Sequence, residues 1–404
     1  MQDFRKPHVD KIIRSWGCFG GLDLCRRKTV NGWPHSLRRP WWLLLLGLIV
    51  LYPFHWAPQG LAAPYAEQDY HGGFSTDFLF PYLEYNEKDG TIVGFDWDAS
   101  SDLGEHQLSA HGGIGTESGK EQLLLGYTYL GWYPSLGLNL FDKNTFYEDI
   151  GGTGRDEDDW LREVGGNLFV NYPLDFHHRI SLAYYVESVE LPDETTRLND
   201  VSVSLVRDTA QYYIMEAISG TQVNLTAQYG DEALGSERDF ESYTGDLRLY
   251  ANIDLGRYFS FGHRLAAAFR LHGGVKKNDP RFFHLGGSDG LRGYDYHEFF
   301  GEKMWATTLE LRYPTYMIHR TTTAWDAFHF HQLLVLAFVD AGEIWRHHED
   351  DESISGVDAA VGAGVRLQMF LFGKIPFVVG IDVARSVTDP ERDTQAYLML
   401  KMGL

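Results

Sequence analysis

The pentapeptide Gly286-Gly287-Ser288-Asp289-Gly290 has the Gly-x-Ser-x-Gly form of a nucleophile elbow. That form exposes a serine for acyl transfer only at a strand-turn-helix junction of a parallel sheet, with an acid and a histidine following. The chain shows neither sustained helical periodicity nor parallel-sheet units, so no catalytic residue is assigned and no enzyme is expected. The same glycines lack the lysine and the helix of a phosphate cradle. His329-Phe330-His331, and His347-His348 with Glu349, Asp350 and Asp351, offer metal-ligand side chains. Neither group has the spacing of a closed structural site, so no metal or cofactor is expected.

A different chemistry is legible around Arg292. The stretch Leu285 to Tyr294 is a glycine-rich loop with one arginine, and two apolar-patterned segments follow, one holding Glu310 and the other Asp340. A charge among apolar residues is costly unless it is paired. Arg292 is therefore expected to meet Glu310 and Asp340 across an enclosed space, which requires the loop from Lys276 to Gly301 to fold inward. Gly286, Gly287 and Gly293 suit a loop packed closely inside a crowded lumen. Glu310 alternates in phase with Thr308 and Arg312, opposite Leu309 and Leu311, so it faces the wet side. Asp340 shares its phase with Leu336 and Phe338, and the pattern alone leaves its side open.

The elements that must position these residues are strands. Period-2 alternation recurs through the chain, as in Leu247, Leu249, Ala251 and Ile253 against Asp246, Arg248, Tyr250 and Asn252. With turns as boundaries, strands fall near 78–86, 90–98, 105–114, 121–130, 133–142, 160–171, 177–188 and 199–207. Eight more fall near 217–228, 240–252, 258–272, 302–313, 332–341, 356–368, 375–386 and 395–404. About sixteen antiparallel strands, an even number, predict an all-β transmembrane barrel with a long loop in its lumen. Links from odd to even strands, such as Lys143 to Asp159, Leu191 to Asp200, Gly230 to Phe240 and Glu343 to Ser355, are mostly long and acidic. Links from even to odd strands are mostly short, with Thr315 to His331 as a long exception. Long loops mark the extracellular side, which places both termini in the periplasm. Tyr127, Tyr129, Trp132 and Tyr133 suit an interfacial girdle.

The apolar run Trp41 to Leu51 is too short for a transmembrane helix, which needs roughly 20 residues. Preceded by Arg38-Arg39 and followed by Gly60-Leu61-Ala62, it suits a signal-peptide core with a small-residue cleavage site; a membrane anchor is the alternative. Residues 1–62 are thus expected to be an N-terminal extension and cleavable signal, and residues 63–404 the barrel. Residues 1–62 contain nine Lys/Arg and three Asp/Glu, so their removal takes the net charge from −21 to −27. Both cysteines, Cys18 and Cys25, leave with them, so no disulfide frame is expected. Such acidity argues against a nucleic-acid partner. The mean hydropathy of −0.28 is compatible with a membrane barrel, whose strands are half polar.

Leu291-Arg292-Gly293-Tyr294 resembles the Val/Leu/Ile-Arg-Gly-Phe/Tyr hallmark of the bacterial surface-antigen superfamily of outer-membrane barrels, the BamA, TamA and FhaC type. In that superfamily the hallmark loop joins strands eleven and twelve of sixteen, where the strand count here also puts Arg292. Pro81 to Asn86 with Asp89-Gly90 and Gly94 is similar to the family's first hairpin, and Arg207-Asp208-Thr209 to its mid-barrel turn. Glu310 to Pro314 and Phe338 to Gly342 resemble strands twelve and thirteen, and the resemblance turns Asp340 inward. It implies a Gram-negative outer-membrane barrel, in contact with membrane lipid, that moves or inserts polypeptide or lipid through a seam between its first and last strands. Ala62 to Phe78 leaves no room for a POTRA domain, the periplasmic module that receives substrate, so a separate periplasmic partner protein is expected. The chain ends in Leu404, where many such barrels carry an aromatic residue. The alternative is a passive, porin-like channel whose acidic lumen tunes selectivity.

Overall fold

The computed structural model describes residues 22–23, 72–86, 88–147, 150, 160–255, 264–288, 290–322, 327–346, 356–373 and 375–402. The expected signal segment, the expected cleavage site at Ala62, His347 and His348 lie outside them, as do most of the acidic stretches 148–159 and 347–355.

Sixteen long strands follow in chain order. They are β1 (Phe74–Asn86), β2 (Gly90–Ser101), β3 (His106–Gly115), β4 (Glu121–Tyr129), β5 (Ser135–Phe146), β6 (Trp160–Pro173), β7 (His178–Glu190) and β8 (Thr195–Asp208). Then come β9 (Glu216–Gly230), β10 (Phe240–Asp254), β11 (Arg264–Lys277), β12 (Lys303–Thr322), β13 (Phe328–Trp345), β14 (Asp358–Leu371), β15 (Ile375–Ser386) and β16 (Gln395–Met402). Each pairs antiparallel with the next, from β1–β2 to β15–β16. The sheet also takes in two short pieces: Gln211–Tyr213, beside β9, and Leu22–Asp23, whose residues pair with Leu398 and Tyr397 of β16. Among the described residues β1 ladders with β2, and β16 with β15 and Leu22–Asp23.

Alternation gives every strand two chemically different faces, and the outward one is apolar. Leu79, Leu83, Leu168, Leu205, Leu225, Leu309, Val339, Val361 and Ile381 are all exposed on it. A sheet that shows leucine and valine outward and buries charge inward is built for lipid. Trp132, Tyr133, Tyr172, Tyr212 and Tyr213 are exposed near the even-to-odd turns, all at one rim, with Tyr133 and Tyr172 edge to face at 5.2 Å. Among the described residues no helix is long and apolar enough to cross a membrane, so crossing falls to the strands.

Several boundaries differ from the sequence expectation by four residues or more, among them the start of β1 at Phe74 and the ends of β5 at Phe146 and β13 at Trp345, and three places show why. Pro314 and the mixed stretch after it suggest a long link from Thr315 to His331, but β12 and β13 stay paired out to Thr322↔Phe328. Irregularities at Pro314/Tyr316 and Met317/Arg320 absorb the proline, which cannot donate to a ladder. The long exception among the short turns therefore disappears. The acidic stretch Leu191 to Asp200 is mostly strand, because Thr195 starts β8 and Asp200 points inward, fully buried. The eleventh strand, expected near 258–272, is described from Arg264 to Lys277.

Candidate functional site

The segment between β11 and β12 carries its own two-stranded hairpin, Phe283–Leu285 with Phe299–Gly301, and this hairpin lies within the lumen. Leu285, Leu291 and Tyr294 are almost fully buried and pack with Met304, Ala306, Ile344 and Ala360 of the wall. The backbone turns sharply to achieve this, and Gly286, Gly287, Gly290 and Gly293 all have positive φ. Two of these glycines also meet close neighbours. A Cβ on Gly286 would lie 2.4 Å from the Asp295 carbonyl within the collision range, and one on Gly293 would press on the backbone of Arg385 and Ser386 in β15 at 3.1 Å. Gly286, Gly287, Ser288 and Gly290 of the Gly-x-Ser-x-Gly form thus belong to a lumen turn.

Arg292, at the centre of this loop, is buried and ringed by acids from three strands. Its Nε and Nη2 donate to Asp340 Oδ2 and Oδ1 at 2.7 and 2.9 Å, a bidentate fork. Nη1 donates to Asp382 Oδ2 at 3.0 Å and to Glu310 Oε2 at 3.3 Å, and the Arg292 backbone N–H reaches Asp340 Oδ2 at 3.2 Å. Burial opposes the guanidinium charge, but Asp340, then Glu310 and Asp382, more than offset it and hold the group protonated. Its carbon sits 3.2 Å from the centre of the Phe338 ring, adding a cation–π contact.

The register explains how the floor beneath Arg292 is made. Thr308 faces Asp340, Glu310 faces Phe338, and Phe338 faces Gly362. Inward-facing Ala360, Gly362 and Gly364 of β14 leave room: a Cβ on Gly362 would strike the Phe338 ring, and one on Gly364 the Asp382 carboxylate. Asp340 shares its face with buried Leu336 and Phe338 because that face is covered, with Leu336 and Phe338 packing on Ala384 and Tyr397.

The structure brings Arg292, Glu310 and Asp340 together and adds residues that the sequence reading passed over. Asp382 bridges Arg292 to Arg366, and Arg312 joins Glu310 to Glu216 at 2.5 Å each. Three arginines and four carboxylates thus form one chain from β9 to β15, buried around Arg292 and half-buried at Arg312 and Glu216. Asp382 carried a usable signal: Ile381-Asp382-Val383 is a lone acid between apolar residues, as Val339-Asp340-Ala341 is. Tyr397 of β16 also meets the loop, accepting from the Gly293 N–H at 2.7 Å and donating to the Tyr294 carbonyl at 3.1 Å. Tyr294 Oη in turn donates to Asp358 Oδ1 at 3.0 Å.

A second anchor holds the loop to the other side of the barrel. Arg281 binds Asp279 bidentately at 2.7 and 2.9 Å, pairs with Glu187 of β7, and lies over the Phe240 ring of β10. Tyr147, just after β5, donates to the Phe282 carbonyl at 2.9 Å, and His297 Nδ1 lies 2.9 Å from the Phe146 carbonyl. Of the histidines weighed for metal, His331 contacts Tyr213 at 3.0 Å and His329 stands near Phe370. Among the described residues no cluster of three or more His, Cys, Asp or Glu is placed to hold a metal.

The Omp85 superfamily domain matches residues 61–398. The chain belongs to the Omp85 superfamily. It is an outer-membrane β-barrel of a group whose members are transporters and assembly factors. Among solved structures it is similar to BamA from Haemophilus ducreyi lacking POTRA domains 1–3, at 14% identity and TM-score 0.58, covering 82% of this chain and 70% of that one. CdiB from Acinetobacter baumannii matches at 13% identity and TM-score 0.49, over 81% of this chain and 58% of its own length. CdiB from Escherichia coli matches at 12% and 0.49, over 83% and 64%. Among curated proteins no sequence matches this chain.

Proposed function

We propose that this barrel moves or inserts polypeptide at the outer membrane, through a seam between β1 and β16, with a separate periplasmic protein delivering the substrate. The observation that carries this reading is the match of the Omp85 superfamily domain over residues 61–398, and the strand pairing says where a seam would lie. Among the described residues β1 is laddered to β2, β16 is laddered to β15 and Leu22–Asp23, and β16 at eight residues is the shortest of the sixteen. A strand edge not laddered to its neighbour is a template for another strand, and with residues 1–62 removed the edge of β16 that takes up Leu22–Asp23 is open to one. Both termini are assigned to the periplasm on the lengths of the links, since no even-to-odd link between the sixteen strands exceeds the nine residues 255–263.

A cysteine pair, one in β1 and one in β16, tests this directly, because the only native cysteines are Cys18 and Cys25. Oxidation should close the seam and stop delivery of polypeptide to the membrane, and reductant should restore it. Delivery that continues through a fully oxidised seam would contradict the proposal and favour a passive channel.

A further inference from the structure

One part of the lumen is basic, in a chain that is otherwise strongly acidic. The inward face of β11 carries Arg270, His272 and Lys276 at period-2 spacing, and the descending loop brings His284 opposite them. Between them lies a cavity of about 230 Å³, closed further by Phe282 and Phe283, with no carboxylate among its lining residues. Arg270 is already paired, with Asp246 at 3.0 Å. Lys276 has no carboxylate within ion-pair distance among the described residues; its ammonium lies 4.5 Å from the centre of the Phe283 ring. His284 stacks on His297 at 3.6 Å, and burial, then Lys276 and His272, pull its imidazole down to about 4. At neutral pH it is therefore an uncharged ring with one N–H to offer.

We propose that this cavity binds a phosphate-bearing anion, with Lys276 as the principal cation, Arg270 in support, and His272 and His284 as hydrogen-bond partners. Asp279, Glu163 and Glu187 act on Lys276 only from beyond ion-pair distance, so an ammonium held against low-dielectric walls still gains from an anion in direct contact. The neighbouring cavity, lined by Asn224, Thr244, Asp246 and Phe283, does contain an acid, so the preference for an anion is confined to the Lys276 side. The volume is below the roughly 300–1,000 Å³ of pockets that hold drug-sized ligands, which suits phosphate or a lipid phosphomonoester headgroup and excludes folded polypeptide. This site is independent of the seam and of what crosses it.

The test uses the purified full chain in detergent, titrated calorimetrically with inorganic phosphate and, in a second arm, with dioctanoyl phosphatidic acid. Saturable binding is expected. Equal affinity in the two arms identifies the free ion as ligand, and binding about tenfold tighter for the lipid identifies a headgroup. Lys276→Gln should weaken binding by about tenfold, as loss of one charge-assisted hydrogen bond predicts, and Lys276→Arg should retain it. His284→Phe should weaken it as well, which keeps the test open if Lys276→Gln folds poorly. Lys277→Gln, one residue along and on the opposite face, should bind as the wild type does. Absence of saturation in both arms, wild-type affinity in both Lys276→Gln and His284→Phe, or an equal loss in Lys277→Gln would overturn the proposal.

Discussion

At the scale of single residues, the molecule turns on how Arg292 is satisfied. Its side chain is buried and bonded to three carboxylates, and Asp340 and Asp382 are nearly inaccessible to water. Removing the cation leaves these acids facing one another without compensation, which costs roughly 3–5 kcal/mol for a buried pair. Arg292→Ala should therefore lower the melting temperature of the folded barrel and open the loop to protease. Lysine restores charge but lacks the planar fork that Asp340 receives, so Arg292→Lys should recover only part of the loss. Differential scanning fluorimetry with limited proteolysis checks both; equal melting in wild type and Arg292→Ala would remove the buried pair from the account. The arginine and two of its acids were legible in the sequence, because a lone charge among apolar residues calls for a partner. Asp382 and Arg366 belong to the same network through the β14–β15 register, which places Arg366 against Gly380 and Asp382 against Gly364. That pairing between distant rungs has no local sequence signature beyond the acid itself.

At the scale of elements, the loop between β11 and β12 is a cross-brace with two anchors. Arg292 and Tyr294 hold it to β12–β15, and Arg281, Phe282 and His297 hold it to β7 and to the chain leaving β5. The two arginines share no partner, so their losses should be nearly additive. A double-mutant cycle of Arg281→Ala and Arg292→Ala, read as unfolding free energy, should give a coupling within about 0.5 kcal/mol of zero. Coupling of several times that size would mean that the two halves of the loop leave the wall together, rather than each with its own anchor. Arg281 was not legible beforehand, since Asp279-Pro280-Arg281 reads as an ordinary polar turn. Strand number and most strand boundaries were legible, because alternation is a local property. The extension of β12 past Pro314 was not, because bulges there accommodate a residue that normally ends a ladder.

At the scale of the whole molecule, an apolar exterior, a charged interior and a loop bonded to both walls describe a barrel that is plugged at rest. A passive channel would leave its lumen free for steady ion flow, whereas here buried Leu285, Leu291, Tyr294 and Phe300 of the loop occupy it. Conduction then depends on the loop, and its half bearing Leu285, Leu291 and Tyr294 is held by Arg292. Single-channel recording in planar bilayers measures this most directly. The wild-type barrel should be silent or show brief small openings, and Arg292→Ala should show long openings of much larger conductance. Steady, large conductance in the wild type, or identical traces from the two proteins, would contradict a lumen closed by the Arg292 loop.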